Sequence, residues 1–297
     1  MLRVDLLSRV TVLPALLLSL LAFRANADTP VASSLPKTEI DTITVEAARK
    51  REAVRQQVSK FVSGIALRRY DQSLADWQRE IPICFLVGGL PREDGEYMLT
   101  RLSQIAASVG APLTSKDCKP NFFVVVTSDP AALLKAWTKR DVRFFDSDQD
   151  VGGTEIHKFL HAKIPVRAWY NWELYKDSGV RGTSSSSSPP GRIRFSAVRD
   201  LAAVVVLVDA PRARGVSFGQ LAAYVAMVGL AEIKIDARVS ETPSILQLFS
   251  NLEKPAPTGL SKWDEAFLKG LYHTEHLDRS QFADIKTAMV QEIAPLH

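Results

Sequence analysis

The chain of 297 residues lacks most of the patterns by which an enzymatic class is recognised. It has neither the GxGxxG nor the GxxxxGK[ST] pattern of a phosphate-binding loop, so the Gly88-Gly89 pair is predicted to be an ordinary turn. The His-Glu-x-x-His sequence of a zinc hydrolase and the Cys-x-x-Cys redox motif are also absent. No direct signature of nucleotide, zinc-hydrolase or thiol-redox chemistry is therefore present.

The apolar run near the N-terminus is too short for a membrane span. Residues 10–23 form a run of 14 residues, whereas a transmembrane helix needs about 20. Arg3 and Arg9 precede this run, and Ala25-Asn-Ala27 supplies a small-x-small cleavage pattern. We therefore predict a signal peptide over residues 1–27 and a periplasmic or secreted protein with no transmembrane span after cleavage. The alternative is an uncleaved anchor, which mass spectrometry of the mature N-terminus would identify.

An excess of charge of either sign is also lacking. The chain has 37 basic and 33 acidic residues. The predicted signal peptide holds three arginines and one aspartate, so 34 basic and 32 acidic residues remain after its removal, a net charge of +2. This balance gives no electrostatic reason to expect nucleic acid or an anionic membrane as a partner.

Cysteine is scarce, with only Cys84 and Cys118 in the chain. In a protein that is bound for an oxidising compartment, one disulfide between them is the natural interpretation. Closing a loop of about 35 residues would stabilise the fold by about 3–4 kcal/mol in the chain-entropy model. Two free buried thiols or a reactive pair are the alternatives.

Residues 198–230 are the predicted centre of the fold. The β-branched run over residues 201–208 ends at Asp209 and is typical of a strand that is buried on both faces. Residues 217–230 carry apolar side chains at helical spacing, and Ser217 can cap that helix. We expect this strand and helix to hold the core.

Further strands and helices are predicted on both sides of this centre. The patterns favour one α+β domain over residues 44–297, with a layered mixed sheet, packed helices, an N-terminal helix and a helical C-terminus. Residues 28–43 are predicted to be a flexible leader, and the Ser/Pro-rich residues 181–191 a surface loop. The other predicted strands are 81–87, 121–127 and 164–175, and the other predicted helices are 44–69, 93–109, 130–139 and two that begin at 261 and 278.

His157 and His161 are four residues apart and would share one face of a helix. A metal site would need a third ligand, and Lys158 stands where a zinc hydrolase would have its glutamate. We therefore expect two ordinary histidines and no bound metal.

Two carboxylates are pocket candidates. Asp209 follows a buried strand, and Glu232 follows the central helix. Asp209 could instead cap the turn before Pro211. An envelope hydrolase that uses such carboxylates is the alternative function, and it would require a cleft where two acids converge, one with a raised pKa.

Three segments together resemble an uncharacterised family of exported proteobacterial proteins. They are residues 217–230, which begin Ser217-Phe-Gly-Gln, residues 243–249, which begin Pro243-Ser-Ile-Leu, and residues 260–272, which begin Leu260-Ser-Lys-Trp-Asp. More distantly, their order is similar to that of a domain of unknown function with a zincin-like, metallopeptidase-type layout. The resemblance implies a zincin-like core.

The chain departs from that layout where the metal would bind. The resemblance places the first histidine and the glutamate at Gly219 and Gln220, and the second histidine at Ala223. Glycine and alanine have no donor atoms, and a neutral amide cannot act as a general base. The resemblance therefore implies a degenerate site with no catalytic residue, no metal and no cofactor.

These observations lead to one hypothesis. We expect an exported protein of the cell envelope that is a non-catalytic binding or scaffolding module, and an envelope protein is the candidate partner. Stoichiometric zinc together with peptide hydrolysis would contradict this hypothesis.

Overall fold

The computed structural model describes residues 37–67, 73–78, 80–114, 117–139, 154–176, 181–182, 197–237, 239–250, 255–273 and 280–295. The chain divides into two compact units, 1–44 and 45–297, and the sheet with its packed helices belongs to the second. The predicted signal peptide, residues 28–36 of the predicted leader and residues 183–191 of the predicted loop lie outside the described residues.

The described elements form an α+β structure, as predicted. The N-terminal helix begins at Lys37, inside the segment predicted as a leader, and a short helix that was not predicted precedes the third strand. The order is α1 (Lys37–Ile65), β1 (Phe85–Gly88), α2 (Arg92–Ser108), β2 (Phe122–Thr127), α3 (Pro130–Lys139), α4 (Thr154–His161), β3 (Val166–Lys176), β4 (Arg181–Gly182), β5 (Ala197–Asp209), α5 (Phe218–Leu230), a 3-10 turn (Ile245–Gln247), α6 (Lys262–His273) and α7 (Gln281–Ile293).

The sheet is mixed, and β5 lies at its centre. The strand order is β1-β2-β5-β3-β4, in which β4 contributes only two residues at the edge. Strands β1, β2 and β5 are parallel, with Val204 opposite Phe122. Strand β3 runs antiparallel to β5, with Val166 opposite Val208, and β4 runs antiparallel to β3. Among the described residues, no helix combines the length and the apolar character that are needed to cross a bilayer.

Both faces of β5 are covered, which confirms the prediction made from its apolar run. Val204, Val206 and Val208 belong to the larger core cluster, which includes residues of α1, α2, α5, α6 and α7. Val205 and Leu207 belong to a second cluster on the opposite face, with residues of α3 and α4. Side chains alternate between the two faces of a strand, so one apolar run fills two cores.

Helix α5 lies against β2 at Gly229. A Cβ built on this glycine would be 2.0 Å from Cζ of Phe122, a fully buried ring. Glycine is therefore required at this position by close packing.

We expect Gly229→Ala to lower the free energy of unfolding by about 1–3 kcal/mol, because the added methyl overpacks the core. Gly95→Ala is the matched control: Gly95 also lies in a helix, but a Cβ there would meet nothing within 4 Å. In the control, alanine should stabilise the helix by about 0.5–1 kcal/mol. Urea denaturation of both variants checks the prediction, and equal effects would contradict it.

Candidate functional site

The first turn of α5, where the resemblance places a degenerate metal site, is occupied by a capping box. The Gln220 backbone N–H donates to Ser217 Oγ at 3.2 Å, and Gln220 Oε1 accepts from the Ser217 backbone N–H at 3.2 Å. Gln220 Nε2 also donates to the carbonyl of Pro257 at 3.1 Å. Ala223 is fully buried, and Gly219 lies beside Tyr97. The residues at these three positions do not fit a zinc ion, because Gly219 and Ala223 have no donor atoms and the Gln220 amide is already hydrogen-bonded.

Residues 215–219 match the Gly-x-Ser-x-Gly pattern of serine hydrolases. In those enzymes the serine lies in a sharp, strained turn directly between a strand and a helix. Here Ser217 has an ordinary extended conformation, with φ −74° and ψ 153°, and its hydroxyl caps α5. Seven residues separate it from Asp209, the end of β5. The local geometry is therefore that of a helix cap and not of a nucleophile elbow.

The structure does not bring the two candidate carboxylates together. Asp209 Oδ2 pairs with Nε of Arg212 at 3.1 Å, and Asp209 Oδ1 accepts from the Arg212 backbone N–H at 3.2 Å. Glu232 is fully buried and binds Nη1 of Arg199 at 3.1 Å and the backbone N–H of Ala75 at 2.8 Å. Because Arg199 and Asp209 are ten residues apart on β5, the two carboxylates are separated by roughly 30 Å. Asp209 caps a turn, and Glu232 belongs to a buried ion pair.

Two other acids, Asp76 and Asp200, are neighbours and have raised pKa values. Neither was among the candidate carboxylates predicted from the sequence. Asp76 is 4% exposed, and burial raises its pKa to about 7. The charge of Asp200 also raises this pKa, whereas the hydrogen bond from Gln78 lowers it. Asp200 forms an isolated backbone bridge with Asp76. Burial, followed by the charges of Glu80 and Glu173, raises the pKa of Asp200 to about 6.

These two acids are part of the interior and not of an open site. A cleft of about 420 Å³ lies near them, between Glu80, Glu173 and the Cys84–Cys118 disulfide, but neither Asp76 nor Asp200 lines it. The sequence offered one signal for Asp200, because it is a charged residue directly before the apolar run of β5. Asp76 lies in a stretch without regular periodicity, so no signal pointed to it.

The predicted disulfide is present. Cys84 and Cys118 are bonded, with their Cα atoms 6.0 Å apart. The bond connects the residue before β1 to the segment before β2. A disulfide at this place fits a protein of an oxidising compartment.

The larger cleft, of about 720 Å³, lies between α4, α5 and the segment that follows α5. Its floor is apolar, with the rings of Tyr224 and Phe249 at 5.0 Å in an edge-to-face arrangement. The volume is in the range of roughly 300–1,000 Å³ that is typical of small-ligand sites. The lining residues are Lys158, His161, Ala162, Ile164, Pro165, Tyr224, Ile235, Asp236, Ala237, Leu246, Phe249 and Ser250.

One wall of this cleft is held in place by Arg167 of β3. Its side chain is buried, and Nη1 donates to the carbonyl of Phe159 at 2.9 Å and to that of Ala162 at 2.6 Å. These carbonyls lie at the C-terminal end of α4, where backbone acceptors have no partner within the helix. Arg167 therefore caps α4 and fixes the wall that carries Lys158 and His161.

His157 and His161 share one face of α4, with ring centroids 4.4 Å apart, and both are exposed. His161 lines the larger cleft, whereas His157 does not. Among the described residues, no group of three or more His, Cys, Asp or Glu side chains is arranged to hold a metal ion.

Comparisons of the chain with models of known protein families, with curated proteins and with solved structures found no match.

Proposed function

We propose that this protein is an exported, non-catalytic binding module of the cell envelope and that its ligand occupies the larger cleft. The observation that carries the proposal is the composition of that cleft. An apolar floor is combined with a few polar groups, which is typical of ligand-binding sites. Among the described residues that line it, Asp236 is the only carboxylate, whereas hydrolysis by paired acids needs two.

The proposal includes a zincin-like core that has lost its metal site. Support comes from the order of α5, the 3-10 turn and α6, which carry the three segments of the family resemblance. The misfit of Gly219, Gln220 and Ala223 to a metal favours binding over peptidase chemistry. The compartment is supported by the disulfide and by the predicted signal peptide.

The hydrolase alternative finds less support. Asp209 and Glu232 lie at opposite ends of β5, and each is already paired. Asp76 and Asp200 are adjacent, but the two residues are only 4% and 5% exposed. A substrate would have no access to them in this structure.

The test is a titration of the purified chain with indole, a neutral apolar probe, followed by two-dimensional ¹H–¹⁵N NMR. We expect shifts at the backbone amides of Tyr224, Ile235 and Phe249. Phe249→Ala should weaken indole binding about three- to tenfold, because one ring of the floor is removed.

Leu86→Ala is the matched control, since Leu86 is an exposed apolar residue that does not line the cleft. This variant should bind indole as the native chain does. A peptide-hydrolysis assay with added zinc is run beside the titration and should show no cleavage. Indole shifts spread over the whole surface, or zinc-dependent hydrolysis of peptides, would contradict the proposed function.

A further inference from the structure

The polar groups of the larger cleft carry charges of both signs on separate elements. Lys158 and His161 are exposed on α4, and Asp236 is exposed on the turn after α5. A purely anionic ligand would be attracted by Lys158 and repelled by Asp236. A purely cationic ligand would be attracted by Asp236 and repelled by Lys158. A ligand that carries both charges matches both walls.

The floor between these charges accepts an apolar group. Tyr224 and Phe249 form an edge-to-face pair, and Leu246 and Ile235 extend the apolar surface. Aromatic rings prefer such offset or edge-to-face contacts, so a third ring or a branched aliphatic group can be added to the pair.

The hydroxyl of Tyr224 is a further polar group among the lining residues of this cleft. Burial raises its pKa to about 12, so it stays protonated at neutral pH. Among the described residues no hydrogen-bond partner is found for it. A ligand oxygen that reaches this hydroxyl would accept a hydrogen bond from it.

We propose that the larger cleft binds a small zwitterion that carries an apolar group, the chemistry of a free apolar amino acid or of an unblocked dipeptide. This inference rests on the proposed function, because it names the ligand class of the same cleft. The ligand carboxylate faces Lys158 and His161, its ammonium group faces Asp236, and its side chain covers Tyr224 and Phe249.

The test compares blocked and unblocked ligands by ¹H–¹⁵N NMR titration of the purified chain at pH 7. The ligands are phenylalanine, N-acetylphenylalanine, phenylalanine amide and Leu-Phe. We expect each block to weaken binding about two- to fivefold, because it removes one exposed ion pair. Asp236→Asn should remove the preference for a free amine, and Lys158→Gln with His161→Gln should remove the preference for a free carboxylate.

Glu241→Gln is the control, because Glu241 is exposed, pairs with Lys60 and does not line the cleft. This variant should keep both preferences. Tighter binding of Leu-Phe than of phenylalanine would indicate that the ligand is an unblocked dipeptide. The reverse order would indicate a free amino acid.

Equal affinities for blocked and unblocked ligands would overturn the inference. Binding of decanoate without binding of any zwitterion would also overturn it, in favour of an anionic amphiphile, while the proposed function would stand. If indole also failed to shift the cleft residues, the proposed function would fail with it.

Discussion

Replacing Arg199 with methionine is expected to lower the free energy of unfolding by about 3–5 kcal/mol at pH 7. The Arg199 and Glu232 side chains are 4% and 0% exposed, and they meet at 3.1 Å. Arg199 also donates to the carbonyl of Ser73 at 2.8 Å and stacks over the ring of Trp172 at 5.4 Å. Without the guanidinium, the Glu232 carboxylate would be a buried charge without its counterion. Urea denaturation of the variant measures the loss.

The double variant Arg199→Met/Glu232→Gln separates the charge effect from lost packing. Glutamine keeps an acceptor for the Ala75 N–H but carries no charge, so at least half of the lost stability should return. Lys60→Met is the control for an exposed pair, because the Lys60 and Glu241 side chains are both largely in solvent. This variant should lower the free energy of unfolding by less than about 1 kcal/mol. A loss below 1 kcal/mol for Arg199→Met would show that the pair does not stabilise the fold.

The Asp76→Asn variant is expected to be more stable than the native protein at pH 8 by about 2–4 kcal/mol. The pKa of Asp76 is raised to about 7 from its ordinary value of 3.8 by burial. Between these two pH values the unfolded chain is ionised at this position while the folded protein keeps the proton. Stability therefore falls as pH rises through this window, and above pH 7 the full penalty remains. Asparagine carries no charge and can still accept the hydrogen bond from Gln78.

The measurement is urea denaturation of both proteins, with the disulfide intact, at several pH values from 4 to 8. The two proteins should have similar stability near pH 4 and should diverge as pH rises. Asp117→Asn is the control: Asp117 is exposed, with φ +61°, a conformation that asparagine tolerates. Parallel curves for the native protein and Asp76→Asn would show that Asp76 titrates normally.

The sequence was sufficient to predict the central elements because their signals are local. The apolar run of β5 and the helical spacing of α5 each depend on residues close in the chain. The disulfide followed from the presence of only two cysteines. Helix α4 was not predicted, because it is only eight residues long and depends on the Arg167 side chain to complete its C-terminal turn.

The candidate site could not be predicted because its parts are distant in the chain. The cleft combines residues of α4, α5 and the segment around the 3-10 turn, and no pattern in one segment indicates the others. Likewise, the contact between Asp76 and Asp200 joins segments more than a hundred residues apart.

Two of the segments on which the predicted family resemblance rests are joined in the structure. Asp264 of α6 is fully buried and accepts hydrogen bonds from Ser244 Oγ at 2.6 Å, from the backbone N–H of Ile245 at 2.8 Å and from that of Ser261 at 2.9 Å. Two of the three segments are thus joined through one carboxylate. Burial raises the pKa of Asp264, and these hydrogen bonds oppose that change. Ser244, Ser261 and Asp264 hold the start of α6 in place, so this pattern indicates architecture more directly than activity.

The position of β5 between β2 and β3 has a consequence for biosynthesis. Both neighbours precede it in the chain, so neither can complete its pairing until the ribosome has passed residue 209. Until then a nascent chain presents two open strand edges rich in valine and aromatic residues, which are prone to self-association. A polypeptide truncated before Ala197 would retain those edges permanently and should accumulate as aggregates.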